Sequence, residues 1–206
     1  IGIIKLTPNG NNRVYATYIG GSGNEMPQSL VCDPQGELVV AGRSSSPDYP
    51  TKPSGNLNGT GGGFDIIITK LNAAGTALIG SKRIGGSAND GANITDYGGG
   101  ATSLQHNYGD EARSEVILDG AGNIYLASCT QSSGTNGFPL VSAFQSTNAG
   151  GAHNQDGVVV KTSPDVSTLL FSTYLGGNGD DAAYVIDINP VTGEVYAAGG
   201  TESSTN

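Results

Sequence analysis

Acidic residues beside glycine are where this 206-residue sequence first offers chemistry. Three strand-like runs end in Gly-Gly and an acidic turn, at Tyr18-Ile-Gly-Gly-Ser-Gly-Asn-Glu25, Arg83-Ile-Gly-Gly-Ser-Ala-Asn-Asp90 and Tyr174-Leu-Gly-Gly-Asn-Gly-Asp-Asp181. Carboxylates next to the carbonyls of Gly-rich backbone supply the oxygen-rich shell that Ca²⁺ takes. Asp110, Glu111, Asp180 and Asp181 are therefore candidate calcium ligands, the one cofactor the sequence suggests. No Asp-x-Asp-x-Asp-Gly loop accompanies them, and the simpler expectation is that such side chains cap the Gly turn and the start of the next strand.

A second group lies between Asn93 and Tyr108. Asp96, Tyr97, Gln105, His106 and Tyr108 mix aromatic and adaptable polar groups of the kind that serve recognition, and form the candidate ligand-binding set. The alternative is a decorative loop packed on its neighbour. His106 and His153 are the only histidines, without a paired His or Cys ligand motif, so zinc is not expected. No Gly-x-Ser-x-Gly elbow occurs, neither histidine has an evident nucleophile partner, and without Trp the sialidase Asp-box has no usual form. The expectation is a protein that is not an enzyme; paired carboxylates assembled across repeats are the enzymatic alternative.

The elements that position these residues recur in fixed order. A first strand ends at a turn Asp or Asn (Asp33, Asp119, Asn189), and a tight Gly-containing turn follows. A second strand, apolar on both faces, closes in small residues (Glu37 to Ser44, Asn123 to Thr130, Glu194 to Thr201), as a strand between two sheets would. A third runs from Asp65 to Leu71 and from Asp156 to Thr162, and the sequence opens inside another. A fourth leads back to Gly-Gly. Counting back 8 residues from each turn residue reaches Glu25, Glu111 and Asp181. On that count Asp110-Glu111 replaces Asn89-Asp90 as the second acidic pair, and an insertion of 21 residues lies within 87–110.

Gly makes up 34 residues, with 36% hydrophobic and 13% charged, yet the apolar residues gather into evenly spaced β-branched runs. Many short strands joined by Gly-rich turns is the reading, in an all-β fold. Four antiparallel strands per unit suggest a β-propeller blade. Residues 1–19 then end a preceding blade, 28–84 and 112–175 are blades, and 182–206 start a further one. About three blades do not close a ring, so a fragment of a larger propeller is expected. Cys32 and Cys129 fall at ends of different strand types, which favours two buried thiols over a disulfide.

The strings Phe171-Ser-Thr-Tyr-Leu-Gly-Gly-Asn-Gly-Asp-Asp181, Asp119-Gly-Ala-Gly-Asn-Ile-Tyr-Leu-Ala127, Phe138-Pro139 with Ala143-Phe144-Gln145, and Asp156-Gly-Val-Val-Val-Lys161 resemble the SBBP (seven-bladed β-propeller) repeat family. The second unit departs from the pattern, with Lys82-Arg83 where the others have Thr-Tyr. The resemblance implies a secreted or cell-surface bacterial protein, with adhesion modules and, in Bacteroidota, a type IX secretion sorting domain. It carries no catalytic residues.

Nine basic against eighteen acidic residues, net −9 with no Lys/Arg cluster, argue against nucleic acid and anionic membranes, and no run has the roughly 18 apolar residues of a spanning helix. The opening residues read as a strand under way, with no signal-peptide pattern. The expected partner is a protein or glycan at the cell surface, bound through the face bearing the long loops, in adhesion or in a larger surface assembly. A structural spacer or filament module, and a polysaccharide-active enzyme completed by further blades, are the alternatives.

Overall fold

The computed structural model describes residues 1–94 and 113–205. Thirteen strands account for nearly all regular structure among them: β1 (Gly2–Leu6), β2 (Arg13–Tyr18), β3 (Glu25–Cys32), β4 (Leu38–Ser44), β5 (Leu57–Gly59), β6 (Asp65–Leu71), β7 (Leu78–Gly85), β8 (Glu115–Leu118), β9 (Ile124–Thr130), β10 (Asp156–Thr162), β11 (Leu169–Leu175), β12 (Asp181–Ile188) and β13 (Val195–Thr201). One 3₁₀ turn lies at Gly134–Asn136. Two sheets contain complete antiparallel meanders, β3-β4-β6-β7 and β8-β9-β10-β11, the first with β5, which lies between β4 and β6 in the chain, added at its edge. The pairs β1-β2 and β12-β13 are two-stranded. The fold is all-β, and none of these sheets closes on itself.

Continuous apolar runs with no alternation demand cover on both faces. The sheets meet that demand by packing face to face in chain order. Ile1 and Ile3 of the first pair sit against Ile67, Leu78 and Val40 of the second sheet. Val39, Ile66 and Ile68 of that sheet join Val116, Leu126 and Val158 of the third in the largest core. Tyr125, Ala127 and Val159 then meet Ala183 and Ile186 of β12. Every residue of β4, β6 and β9 is consequently buried. A fully buried Val, Leu or Ile contributes about 1.5–3 kcal/mol, so most of the stability resides between sheets.

The turns at one edge are short and built on one device. Asp33 Oδ1 accepts from the Gln35 and Glu37 N–H groups, Asp119 Oδ1 from Ala121 and Asn123, and Asn189 Oδ1 from Val191 and Thr192. Gly36, Gly122 and Gly193 take the positive φ that each turn requires. The long segments 45–64 and 131–155 lie at the opposite edge, as expected.

Both long segments fold back over the outer strand of their own sheet. Residues of the first form β5, which pairs parallel with β7; no pattern in the Gly-rich sequence marks it. The second makes isolated bridges from Val141 and Gln145 to β11. Pro50 and Pro139 occupy matching places, each carbonyl accepting from the outer-strand serine, Ser81 or Ser172, at 2.7 Å. Tyr49 and Phe138 are buried beside them, the plugs that their repetition suggests. Both cysteines are free; Cys129 is buried as expected, but Cys32 ends β3 at an exposed position.

Candidate functional site

The Gly-Gly-acid turns assemble at the long-loop edge, where one carboxylate per sheet is tied into the same knot. Glu25 Oε1 accepts from Ser44 Oγ at 2.9 Å and from Ser46 Oγ. Asp90 accepts from Thr130 Oγ1, from Ser132 Oγ at 3.0 Å and from the Gly86 N–H at 2.8 Å. Asp181 accepts from Ser203 Oγ and the Gly177 N–H, both at 2.7 Å. The hydroxyls come from a recurring Ser/Thr-x-Ser at the end of each second strand, Ser44-Ser45-Ser46, Thr130-Gln131-Ser132 and Thr201-Glu202-Ser203. That repeat is visible in the sequence and was the missing signal.

The knot also explains the paired glycines. A Cβ on Gly85 or Gly176 would collide with the carboxylate of Asp65 or Asp156, and one on Gly86 or Gly177 with Ser132 or Ser203. Only a residue without a side chain admits the packing.

These contacts correct the register of the second unit. Asp90 bridges to Thr130 just as Glu25 pairs with Ser44 and Asp181 with Thr201. Asp90, not Glu111, is therefore the counterpart in the knot, and the insertion begins after it. β3 and β12 each carry a register shift, at Gln28 and at Tyr184. In the third sheet, pairing breaks after Asp90 and resumes at Glu115 opposite Ala127, where Ser29 stands opposite Ala41. The 21 extra residues, 93–113, thus interrupt the sequence of the first strand at the place where β3 and β12 carry their register shifts. Counting back from Asp119 mistook an interrupted strand for a continuous one.

Asp96, Tyr97, Gln105, His106, Tyr108, Asp110 and Glu111 lie outside the described residues. The stems on either side are fixed by buried amides. Gln155, with no exposed surface, accepts from the Ile94 N–H at 2.8 Å and donates to Asn93 Oδ1 at 2.7 Å. Asn93 in turn donates to Tyr184 Oη at 3.2 Å. On the other stem, Ser114 Oγ donates to Gln28 Oε1 and shares a hydrogen bond with Ser128 Oγ at 2.8 Å, while Gln28 Nε2 donates to the Gly91 carbonyl at 2.7 Å.

Beside the first stem a polar cleft of about 390 Å³ opens among Arg43, Phe64, Asn89, Asn93, Gln131 and His153. The Arg43 guanidinium lies 4.6 Å over the Phe64 ring. Asp180 holds the His153 side of the cleft from behind: its carboxylate takes His153 Nδ1 at 2.8 Å and the His153 and Gln155 N–H groups. Amide donors and acceptors, one guanidinium and an imidazole face a common space, which suits hydrogen-bonded recognition of a polar ligand. No pattern in the sequence joins these residues, because they come from strand β4 and three separate loops.

Asp180 and Asp181 thus act as caps, and among the described residues no three His, Cys, Asp or Glu side chains converge as a metal site. Burial pushes the Asp90 carboxyl up to about 7, aided by the charge of Asp65 and opposed by its three donors. Burial likewise lifts Asp156 to about 6, with Asp181 and Asp180 adding to it. Asp156 Oδ1 has no hydrogen-bond partner, while Oδ2 accepts from Gln145 and Ala149. The equivalent Asp65 instead pairs with Arg83, and Lys82 reaches Asn58 Oδ1 at 2.6 Å. Arg83 therefore balances the charge of Asp65, while Lys82 is held by the neutral amides of Asn56 and Asn58.

Fold and site together define an all-β protein of stacked antiparallel sheets with one interrupted first strand. No protein-family model matches the chain, and no curated protein is significantly similar to it.

Proposed function

We propose that the stacked sheets are blades of a β-propeller of the SBBP type, belonging to a secreted or surface protein of bacteria. Its long-loop face binds a protein or glycan without catalysis, in adhesion or surface assembly. Three features support the blade reading: four-strand meanders in chain order, cores between successive sheets, and first strands that meet one another. Val116 N–H donates to Ser29 Oγ, and Ile186 N–H to Glu115 Oε2, each bond joining the first strands of adjacent sheets. First strands gathered side by side are what blades around an axis present.

The observation that carries the binding reading is the placement of the insertion. It leaves the scaffold at the register shift of a first strand, next to the polar cleft, and half-buried Gln28 and buried Gln155 hold its stems. A rigid base under a loop rich in Tyr and polar groups is the arrangement by which loops recognise partners. The test is a variant in which Tyr97, His106 and Tyr108 are all replaced by Ala, compared with wild type on a glycan array and on immobilised matrix proteins. Binding at least about tenfold weaker, with an unchanged melting temperature, is expected. Equal binding by the two proteins would refute the assignment.

A further inference from the structure

A buried amine meets a buried carboxamide where the long segment 45–64 lies against β7. Lys82 is 2% exposed and Asn56 9%. Lys82 Nζ donates to Asn56 Oδ1 and, at 2.6 Å, to Asn58 Oδ1. We propose that Lys82 and Asn56 react with each other to form an amide bond, which welds the long segment to the outer strand. Burial favours the nucleophile: it lowers the pKa of the Lys82 amine, against the opposing charge of Asp165, and so enlarges the neutral fraction.

The surroundings of the Asn56 amide nitrogen fit a departing ammonia better than a resting amide. Three carbonyl oxygens lie around Nδ2, that of Ser81 at 3.0 Å, that of Val166 at 3.1 Å and that of Lys52 at 3.2 Å. A primary amide offers them two hydrogens, whereas ammonia offers three. Acceptors fixed in advance where hydrogens gather during a reaction favour the departing group over the starting amide. Val166 brings its carbonyl from a turn of the adjacent sheet at φ 60°, a left-handed conformation that a β-branched residue adopts only where its surroundings impose it.

The step balances without a further reactant. The neutral amine, kept beside Asn56 by Asn58 Oδ1, moves from the edge of the carboxamide to its face, and its lone pair forms the Nζ–Cγ bond. One Nζ proton passes to Nδ2, the Cγ–Nδ2 bond breaks, and ammonia leaves. Nothing is oxidised or reduced, and one amide replaces another. Burial of the pair keeps water, the competing nucleophile, away from the carbonyl carbon. In the third sheet Gln145 and Thr173 hold the places of Asn56 and Lys82, counted from the matching Pro139 and Ser172. There the Gln145 N–H donates to Thr173 Oγ1 at 2.8 Å, and with no amine present the segment is held by hydrogen bonds alone. The weld is thus particular to the second sheet, and the ring it closes restricts the unfolded chain as a disulfide does.

Mass spectrometry of the denatured intact chain tests the bond. After incubation of the folded protein at neutral pH, wild type is expected to weigh less than its sequence by one ammonia, and its digest to contain a branched peptide joining Asn56 to Lys82. Lys82→Arg and Asn56→Ala are each expected at the full mass of their sequences. Wild type at its full mass overturns the proposal without reference to any variant. A loss of ammonia that persists in Lys82→Arg overturns it too, because that loss would come from cyclisation at an Asn-Gly step such as Asn58-Gly59. A branched peptide carrying Asn58 in place of Asn56 also overturns it.

Discussion

At the scale of single residues, the carboxylate knot is where the chain departs most from ordinary surface chemistry. Asp90 is fully buried, and its neutral form is favoured up to about pH 7. The sign of the resulting pH dependence is opposite to that of an acid in a salt bridge. An unfolded Asp releases its proton near pH 4, whereas native Asp90 keeps it to about 7, so the native state binds more protons in between. Stability should fall as pH rises through that window and level off above it, with Asp156 adding the same trend up to about 6. Asp90→Asn should flatten the slope of melting temperature against pH between about 4 and 7; an unchanged slope would show that burial of Asp90 is not its source. The Gly-Gly of this knot is legible in the sequence, whereas the spacing from Asp119 points to Glu111 as its acid in place of Asp90. Its Ser/Thr-x-Ser half was not recognised, because two small hydroxyl residues in a Ser- and Thr-rich chain look like loop composition until hydrogen bonds single them out.

At the scale of elements, the strand order and the short Asx-Gly turns followed from pattern, since both depend on local chemistry. What local chemistry does not encode is where a strand pauses. The interruption of the first strand after Ala92 and the parallel pairing of β5 depend on tertiary partners such as Cys129, whose carbonyl accepts from the Gly91 N–H, and β7. The second strands, buried on both faces, are the elements on which the stack depends most. Leu126 is fully buried in the largest core, which residues of both complete sheets form. Leu126→Ala should cost about 2–5 kcal/mol in a chemical-denaturation measurement, at the upper end if the cavity does not collapse. A loss below about 1 kcal/mol would mean that the sheets do not pack as described.

At the scale of the whole molecule, a scaffold repeated four times in part or whole carries one interruption. The recurring Lys, Asx and Gly positions, three of each, place the sheets; the 21 residues inserted between Ala92 and Ser114 are the largest difference between the repeats. On the proposed function the stack is support and the insertion is the recognition element. Joining Ala92 directly to Ser114 removes residues 93–113 and gives the third sheet the spacing that Pro27 and Gln28 have in the second. The most direct measurement compares this shortened chain with the intact one for melting and for binding to the same glycan and matrix-protein surfaces. The shortened chain is expected to keep a cooperative transition and to lose binding. Binding that survives the deletion in a folded chain would contradict the proposed function.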